Sequence, residues 1–265
     1  MIHNAKNVER RSIKLTNRAN NHQRAELIRR LKKQGRKKDT DLELAESALL
    51  LAGLDRPKID LSLFRSHLSK IACDVADSIP SGRKQDAIQQ ARILSEILCV
   101  RHRYSGDTAT YDDLQNANLI SVIERRKGLP VALAILYIHA AQKQGWTATG
   151  INFPGHFLIR LEYNGRQVIV DPFNGGIQLS VADLIDLLKQ LAGADAVLRS
   201  EYYEPLTNRQ VLIRLLNNIK IRADTMGDQD RVLQILDRMT LVAPDNLGLM
   251  RESGICYAKS GNMRR

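Results

Sequence analysis

Two neighbouring stretches decide how this chain is read: GLPVALAILYIHAA, residues 128–141, and FPGHFLIRLEYNGRQVIVDPFNGG, residues 153–176. In the first, Pro130 follows Gly128-Leu129 at a position suited to the first turn of a helix, where its missing N–H costs nothing. The segment after it is apolar on nearly all sides, which predicts a helix buried on most of its surface. Val131, Leu133, Ile135 and Leu136 are therefore expected in the core.

The second stretch reads as a hairpin. FLIRLEY and RQVIV flank Asn164-Gly165, a two-residue turn pair. That loop pairs Tyr163 with Arg166. Phe157, Ile159, Leu161, Val168 and Val170 then share one apolar face, which supports the register. The other face carries His156, Arg160, Glu162, Gln167, Ile169 and Asp171. In this register His156 and Asp171 are diagonal neighbours with Cβ atoms ~7 Å apart, a gap a histidine side chain spans.

A histidine oriented by an aspartate is two thirds of a nucleophilic triad. The favoured place for a thiolate is the start of a buried helix, where free N–H groups and the helix dipole lower its pKa. Here that place reads Gly128, Leu129, Pro130, Val131, Ala132, and none of these can attack a carbonyl. Spacing alone leaves two readings open. Either His156 and Asp171 form a functional pair, or they close a Pro-Gly turn and end a strand. Asp171→Asn is expected to cost little stability if the pair is only structural.

Outside this centre the pattern is mostly helical. DLELAESALLLAGLD places Leu42, Ala45, Leu49 and Ala52 at helical spacing, with Gly53 as a stop. A second helix starts on Asp60 as N-cap, with Leu63, Phe64, His67, Leu68 and Ile71 inward. A third carries Ile88, Ala91, Leu94, Ile97 and Leu98. A short helical region ends at Gly128, and Ser180 caps a helix after the hairpin. His67, Cys73 and Cys99 are read as packed or surface residues rather than ligands. Near the C-terminus, Ile221, Ala223 and Gly227 align with Ile255, Tyr257 and Gly261 at an offset of 34 residues, the period of tetratricopeptide repeats. The chain stops at Arg265, so the last copy is expected to be incomplete.

Charge is divided unevenly. Residues 1–38 hold 13 Lys/Arg against 2 Asp/Glu, whereas residues 39–265 hold 27 of each. The net charge of +11 thus resides in the first 38 residues. Apart from a possible short helix over Arg24–Lys33, this segment is expected to be a disordered tail, since its few apolar groups cannot offset the entropy of ordering. A second reading is contact with nucleic acid or an acidic surface, without the interleaved aromatics of single-strand binders. The longest strongly apolar run, Val131–Ala141, is shorter than the ~20 residues of a membrane span. MIHNAKNVERRSIKLTNRAN has no apolar signal-peptide core. Three cysteines, odd in number and widely spaced, argue against a disulfide framework or zinc knuckle and fit a reducing cytoplasm. No membrane contact, metal or cofactor is expected.

NLISVIERRKGLPVALAILYIHAA, GINFPGHFLIRL and VDPFNGG resemble the bacterial SirB family, with the match running from about Asp41 to Arg265 and densest from Asn118 to Gly176. The resemblance implies an α+β chain: a transglutaminase-like domain over 39–204, followed by tetratricopeptide-like helices over 205–265. Within that domain, a helical lead over 39–117 precedes a papain-like core with a small antiparallel sheet over 118–204. It maps the family histidine onto His156 and the family aspartate onto Asp171. The cysteine of the superfamily's Gly-x-Cys pattern falls on Pro130. The implied function is a catalytically inactive module that binds a protein or peptide. The alternatives are a cysteine-type hydrolase or acyltransferase with another nucleophile, and a nucleic-acid-associated regulator acting through residues 1–38. No acidic calcium-loop pattern is present.

Overall fold

The computed structural model describes residues 21–82 and 84–259. In chain order these form helix α1 over 21–35, α2 (Leu44–Gly53), α3 (Leu61–Asp77), α4 (Ala87–Ser95), β1 (Ser105–Gly106), α5 (Leu119–Arg125), β2 (Lys127–Gly128), α6 (Pro130–Lys143), β3 (Thr147–Ile151), β4 (Leu158–Tyr163), β5 (Arg166–Asp171), β6 (Ile177–Leu179), α7 (Val181–Ala192), β7 (Pro205–Leu206), α8 (Asn208–Thr225), α9 (Gln229–Val242) and α10 (Leu247–Lys259). A π-helical turn, Glu96–Arg101, prolongs α4. The class is α+β, as the sequence indicates.

α6 is the centre of the molecule. Leu129 is its N-cap and Pro130 its first residue, and every residue from Pro130 to Ile138 is buried. Helices α2, α3, α5 and α8 pack around it, and strands β3 and β4 lie against it. An all-round apolar helix needs such a shell, because no face can be left to water.

The five-stranded sheet has the order β6-β5-β4-β3-β7, antiparallel throughout. Tyr163 pairs with Arg166 as the Asn164-Gly165 turn requires. Both turn residues have positive φ, 49° and 75°, as this tight turn demands. Phe157, Ile159, Leu161 and Val170 are buried in the main core, with Val168 packed at its edge. The opposite face is not open to solvent. Ile151, Phe153, Leu158 and Ile169 form a second, smaller core under Leu184 and Leu188 of α7. A sheet covered on both sides explains why Leu158 interrupts the polar residues of that face.

The caps at Asp60 and Ser180 are present, and Ser180 forms a reciprocal capping box with Asp183. Leu42, Ala45, Leu49 and Ala52 are all buried. Leu63 and Ile88, expected on apolar faces, are instead exposed; each lies at the margin of its helix's buried stripe. The region ending at Gly128 is helical only to Arg125, because Arg126 takes a left-handed conformation (φ 62°) and turns the chain into β2.

The largest departure is at the N-terminus. Residues 1–20 lie outside the described residues, but residues 21–35 are not a loose tail: they form α1, and Leu27 and Leu31 are buried in the main core. The short helix expected around Arg24–Lys33 is present within this longer one; what the tail reading left out is that two of its leucines find a ready-made apolar surface. No break in packing occurs at residue 205 either. β7 pairs with β3, and Val211, Leu212, Leu215 and Leu216 of α8 join the core that holds α6.

Candidate functional site

The turn Pro154-Gly155 (φ 70° at Gly155) reverses the chain before β4, and the His156 amide donates to the Phe153 carbonyl at 3.1 Å. His156 thus sits on a bend ahead of β4 rather than on the strand. Asp171 is the last residue of β5. The two meet at 2.9 Å, His156 Nε2 donating to Asp171 Oδ2. A carboxylate only accepts, so Nε2 carries the proton. In the neutral ring this leaves Nδ1 as the proton acceptor.

Asp171 is only 1% exposed. Its Oδ1 accepts from the amides of Phe173 (2.9 Å) and Asn174 (3.3 Å), and its Oδ2 accepts also from the Asn174 side chain at 2.8 Å. Burial pushes the carboxyl upward, but the hydrogen bonds from His156, Asn174 and Phe173, with the charge attraction of His156, hold it below the usual carboxylate range. Asp171 therefore stays ionised and orients the imidazole. A buried acceptor with four donors is a structural anchor as well as a partner for His156, so the sequence expectation of a cheap Asp171→Asn change does not fit this environment.

The loop after Asp171 is seated by α4 and α6. Gly176 (φ 69°) donates its amide to the Asp171 carbonyl at 2.8 Å, and Ser95 Oγ donates to the Gly176 carbonyl at 2.6 Å. A β-carbon on Gly176 would lie 2.3 Å from both Ser95 Oγ and Tyr137 Oη. On the other side, the Phe173 ring packs edge-to-face with His156 (6.1 Å) and Tyr111 (5.8 Å). The same ring presses on Gly106, where a β-carbon would be 2.6 Å away. Gly106 belongs to β1, which pairs with β2 just before the start of α6. Phe173 is therefore the link between the His156–Asp171 pair and the strand pair that leads into Pro130.

Sequence reasoning missed Phe173, Asn174, Tyr111, Ser95 and Tyr137. Asn174 was within reach, because an Asp followed three positions later by Asn before two glycines is a turn signal. Ser95 and Tyr137 lie too far along the chain for any local pattern to reveal them.

The first turn of α6 offers Leu129, Pro130, Val131 and Ala132, with Pro130 buried. Cys99 lies in the π-helical turn, where its Sγ is 2.9 Å from Tyr137 Oη. Burial pushes its thiol pKa up, against a smaller opposing effect of the Tyr137 hydrogen bond, so it lacks the thiolate character of a nucleophile. Cys73 is exposed on α3 and Cys256 is half-buried on α10. Among the described residues, the His156 ring hydrogen-bonds to Asp171 and to no cysteine or serine. Among them also, no group of three or more His, Cys, Asp or Glu side chains is arranged to hold a metal ion, and no helix is long and apolar enough to cross a membrane.

A second polar cluster lies on the α3 side of the molecule. Arg126 donates to His67 Nε2 and to Tyr104 Oη, each at 2.5 Å, while His102 Nε2 donates to Asp74 Oδ2 at 2.8 Å. Its histidines are half-buried and bonded to neighbouring side chains; the sequence reading left His67 as either a packed or a surface residue.

The fold agrees with comparison to known proteins. The chain is 29% identical over 231 residues to a UPF0162 protein of Xylella fastidiosa, covering 84% of this chain and 80% of that one. It is 28% identical over 217 residues to a UPF0162 protein of Vibrio cholerae, covering 82% and 79%. Similarity extends to F-box only protein 21 of Homo sapiens, 26% identical over 168 residues, which is 59% of this chain but 26% of that protein. The transglutaminase-like superfamily model matches residues 63–217, a span that takes in α6, the whole five-stranded sheet, His156 and Asp171. That match covers more than half of the residues, and the chain belongs to the transglutaminase-like superfamily.

Proposed function

We propose that this is a catalytically silent transglutaminase-like protein of the SirB type, cytoplasmic and bacterial, that acts by binding a protein or peptide. One observation carries the reading: a buried, hydrogen-bonded His156–Asp171 pair stands in a fold whose central helix opens on Pro130. A base and its orienter are kept in place, while the position that resembles the superfamily's cysteine holds a ring with no S–H or O–H. Cys99 does not substitute, being half-buried, bonded to Tyr137 and pushed away from ionisation.

The C-terminal helices support the binding side of the reading. α8, α9 and α10 pack consecutively, as tetratricopeptide-like units do. Ile221 and Ile255, the positions aligned at the 34-residue offset, are both exposed. Gly261, the last aligned position, lies outside the described residues.

The test uses the intact chain with a thiol-directed covalent probe and a panel of acyl-donor and peptide substrates. No covalent adduct at Cys99 and no turnover are expected. Turnover that disappears in His156→Ala would overturn the proposal. Partner capture from bacterial lysate should weaken in Ile221→Glu/Ile255→Glu, whose side chains already face solvent.

A further inference from the structure

The geometry points to a phosphate-backbone site for a nucleic-acid duplex on the outer face of α1, separate from the His156–Asp171 pair. Leu27 and Leu31 turn one side of α1 into the core, and Gly35 closes the helix so tightly on α9 that a β-carbon there would lie 2.0 Å from the Leu241 carbonyl oxygen. The Arg209 guanidinium then holds the following loop through the carbonyls of Gly35 and Lys37 and the carboxylate of Asp39. The helix is thus fixed in place, and so is the stripe it presents outward.

That stripe is Arg29, Lys32, Lys33 and Arg36, at i, i+3, i+4 and i+7, all exposed. Four cations at this spacing form one row along the helix, spanning about 10 Å. The row borders an open cleft of about 810 Å³ between α1 and α2. The carboxylates of that cleft are already engaged: Glu26 with Arg29, Glu43 with Lys37, and Glu46 with Arg30 and Arg65. Among the described residues, Lys32, Lys33 and Arg36 have no carboxylate partner. The stripe continues a sequence that carries Lys6, Arg10, Arg11, Lys14 and Arg18 upstream, while residues 39–265 are electrically balanced.

The chemistry of the patch selects its occupant. A membrane-surface helix inserts an apolar face, and the apolar face of α1 is spent on the core. A protein interface needs apolar or aromatic anchors at its centre, whereas Leu50, the aliphatic residue lining the cleft, is itself buried. Base stacking on single strands needs exposed aromatics, and none lines the cleft. A duplex backbone asks only for a row of cations matched to its phosphates, bound without reading sequence.

The experiment measures fluorescence anisotropy of labelled 20-base-pair duplexes of arbitrary sequence, DNA in one arm and RNA in the other, against the full chain over a salt series. Lys32→Ala/Lys33→Ala/Arg36→Ala should weaken binding at least tenfold at low salt and reduce the log–log salt slope by about 2.7, from about 0.9 per lost phosphate contact. Its melting temperature should stay at the parent value, because the three side chains are exposed. Preference between the two arms distinguishes DNA from RNA. An unchanged affinity in the triple variant, with all binding lost on neutralising Lys6, Arg10, Arg11, Lys14 and Arg18, overturns the site. So does equal or tighter binding to polyglutamate, or to anionic phospholipid vesicles.

Discussion

Arg209 and Gly35, separated by 174 positions, are joined by a 2.9 Å hydrogen bond from the Arg209 guanidinium to the Gly35 carbonyl. The same side chain also donates to the carbonyls of Lys37 and Val242 and pairs with Asp39. One residue of α8 thus ties the end of α1, the loop after it and the end of α9. Arg209→Ala should cost about 3 kcal/mol in chemical denaturation, since it leaves carbonyls unpaired and removes charged hydrogen bonds. Arg209→Lys should recover less than half, because an ammonium cannot reproduce the planar fork.

Gly176 and Gly165 provide a matched pair for the loop below Asp171. Both have positive φ, 69° and 75°, but only Gly176 faces other atoms, whereas nothing lies within 4 Å of the β-position of Gly165. Gly165→Ala should cost about 1 kcal/mol from backbone strain alone. Gly176→Ala should cost at least about 3 kcal/mol, strain plus overlap with Ser95 and Tyr137. Equal losses for the two, measured by urea titration, would contradict the close seating of this loop on α6.

Asp171→Asn places an amide NH2 where Asp171 now receives donors from His156 and Asn174. The expected loss is about 2–4 kcal/mol, from buried donors left facing each other. In a double-mutant cycle the loss should shrink when His156 is already alanine, because the two residues share one hydrogen bond.

Stability should also fall on acidification. Burial, followed by the nearby charges of Arg126, His102 and Lys70 and opposed by Asp74, pushes His67 from 6.5 down to about 4. Burial and then Lys143, opposed by a backbone hydrogen bond to Leu68, push His139 from 6.5 to about 4. The unfolded chain takes up these protons near pH 6.5 and the folded chain only near 4. Stability from keeping both rings neutral is therefore complete above pH 6.5 and is lost as pH falls from 6.5 to 4. Asp55, where burial is outweighed by Arg231 and Arg238, lies at about 2 against 3.8, and its contribution disappears below that window, between pH 3.8 and 2. Thermal melts of His139→Leu should show a shallower fall between pH 6.5 and 4 than the parent chain.

Much of the candidate site was legible because its signals are local. Pro-Gly before His156, Asn-Gly between the strands and Asp171-Pro172 at the strand end each constrain a few residues of backbone. Together they bring the imidazole and carboxylate within reach of each other. The depth of the pair was not legible. Asp171 is buried because Ser95 and Tyr137, from helices earlier in the chain, seat the loop behind it, and because Phe173 finds the bare backbone of Gly106.

By itself the sequence determined the all-apolar helix α6, the pairing of Tyr163 with Arg166, the caps at Asp60 and Ser180, and the proline at the start of the central helix. These follow from side-chain periodicity and from backbone preferences that act over a few residues. Tertiary structure alone decided that residues 21–35 are a packed helix, that α7 covers the second face of the sheet, and that α8 belongs to the same core as α6. Each depends on apolar surface supplied by partners distant along the chain. Two leucines in a basic segment carry no signal until Leu27 and Leu31 meet a surface that removes them from water.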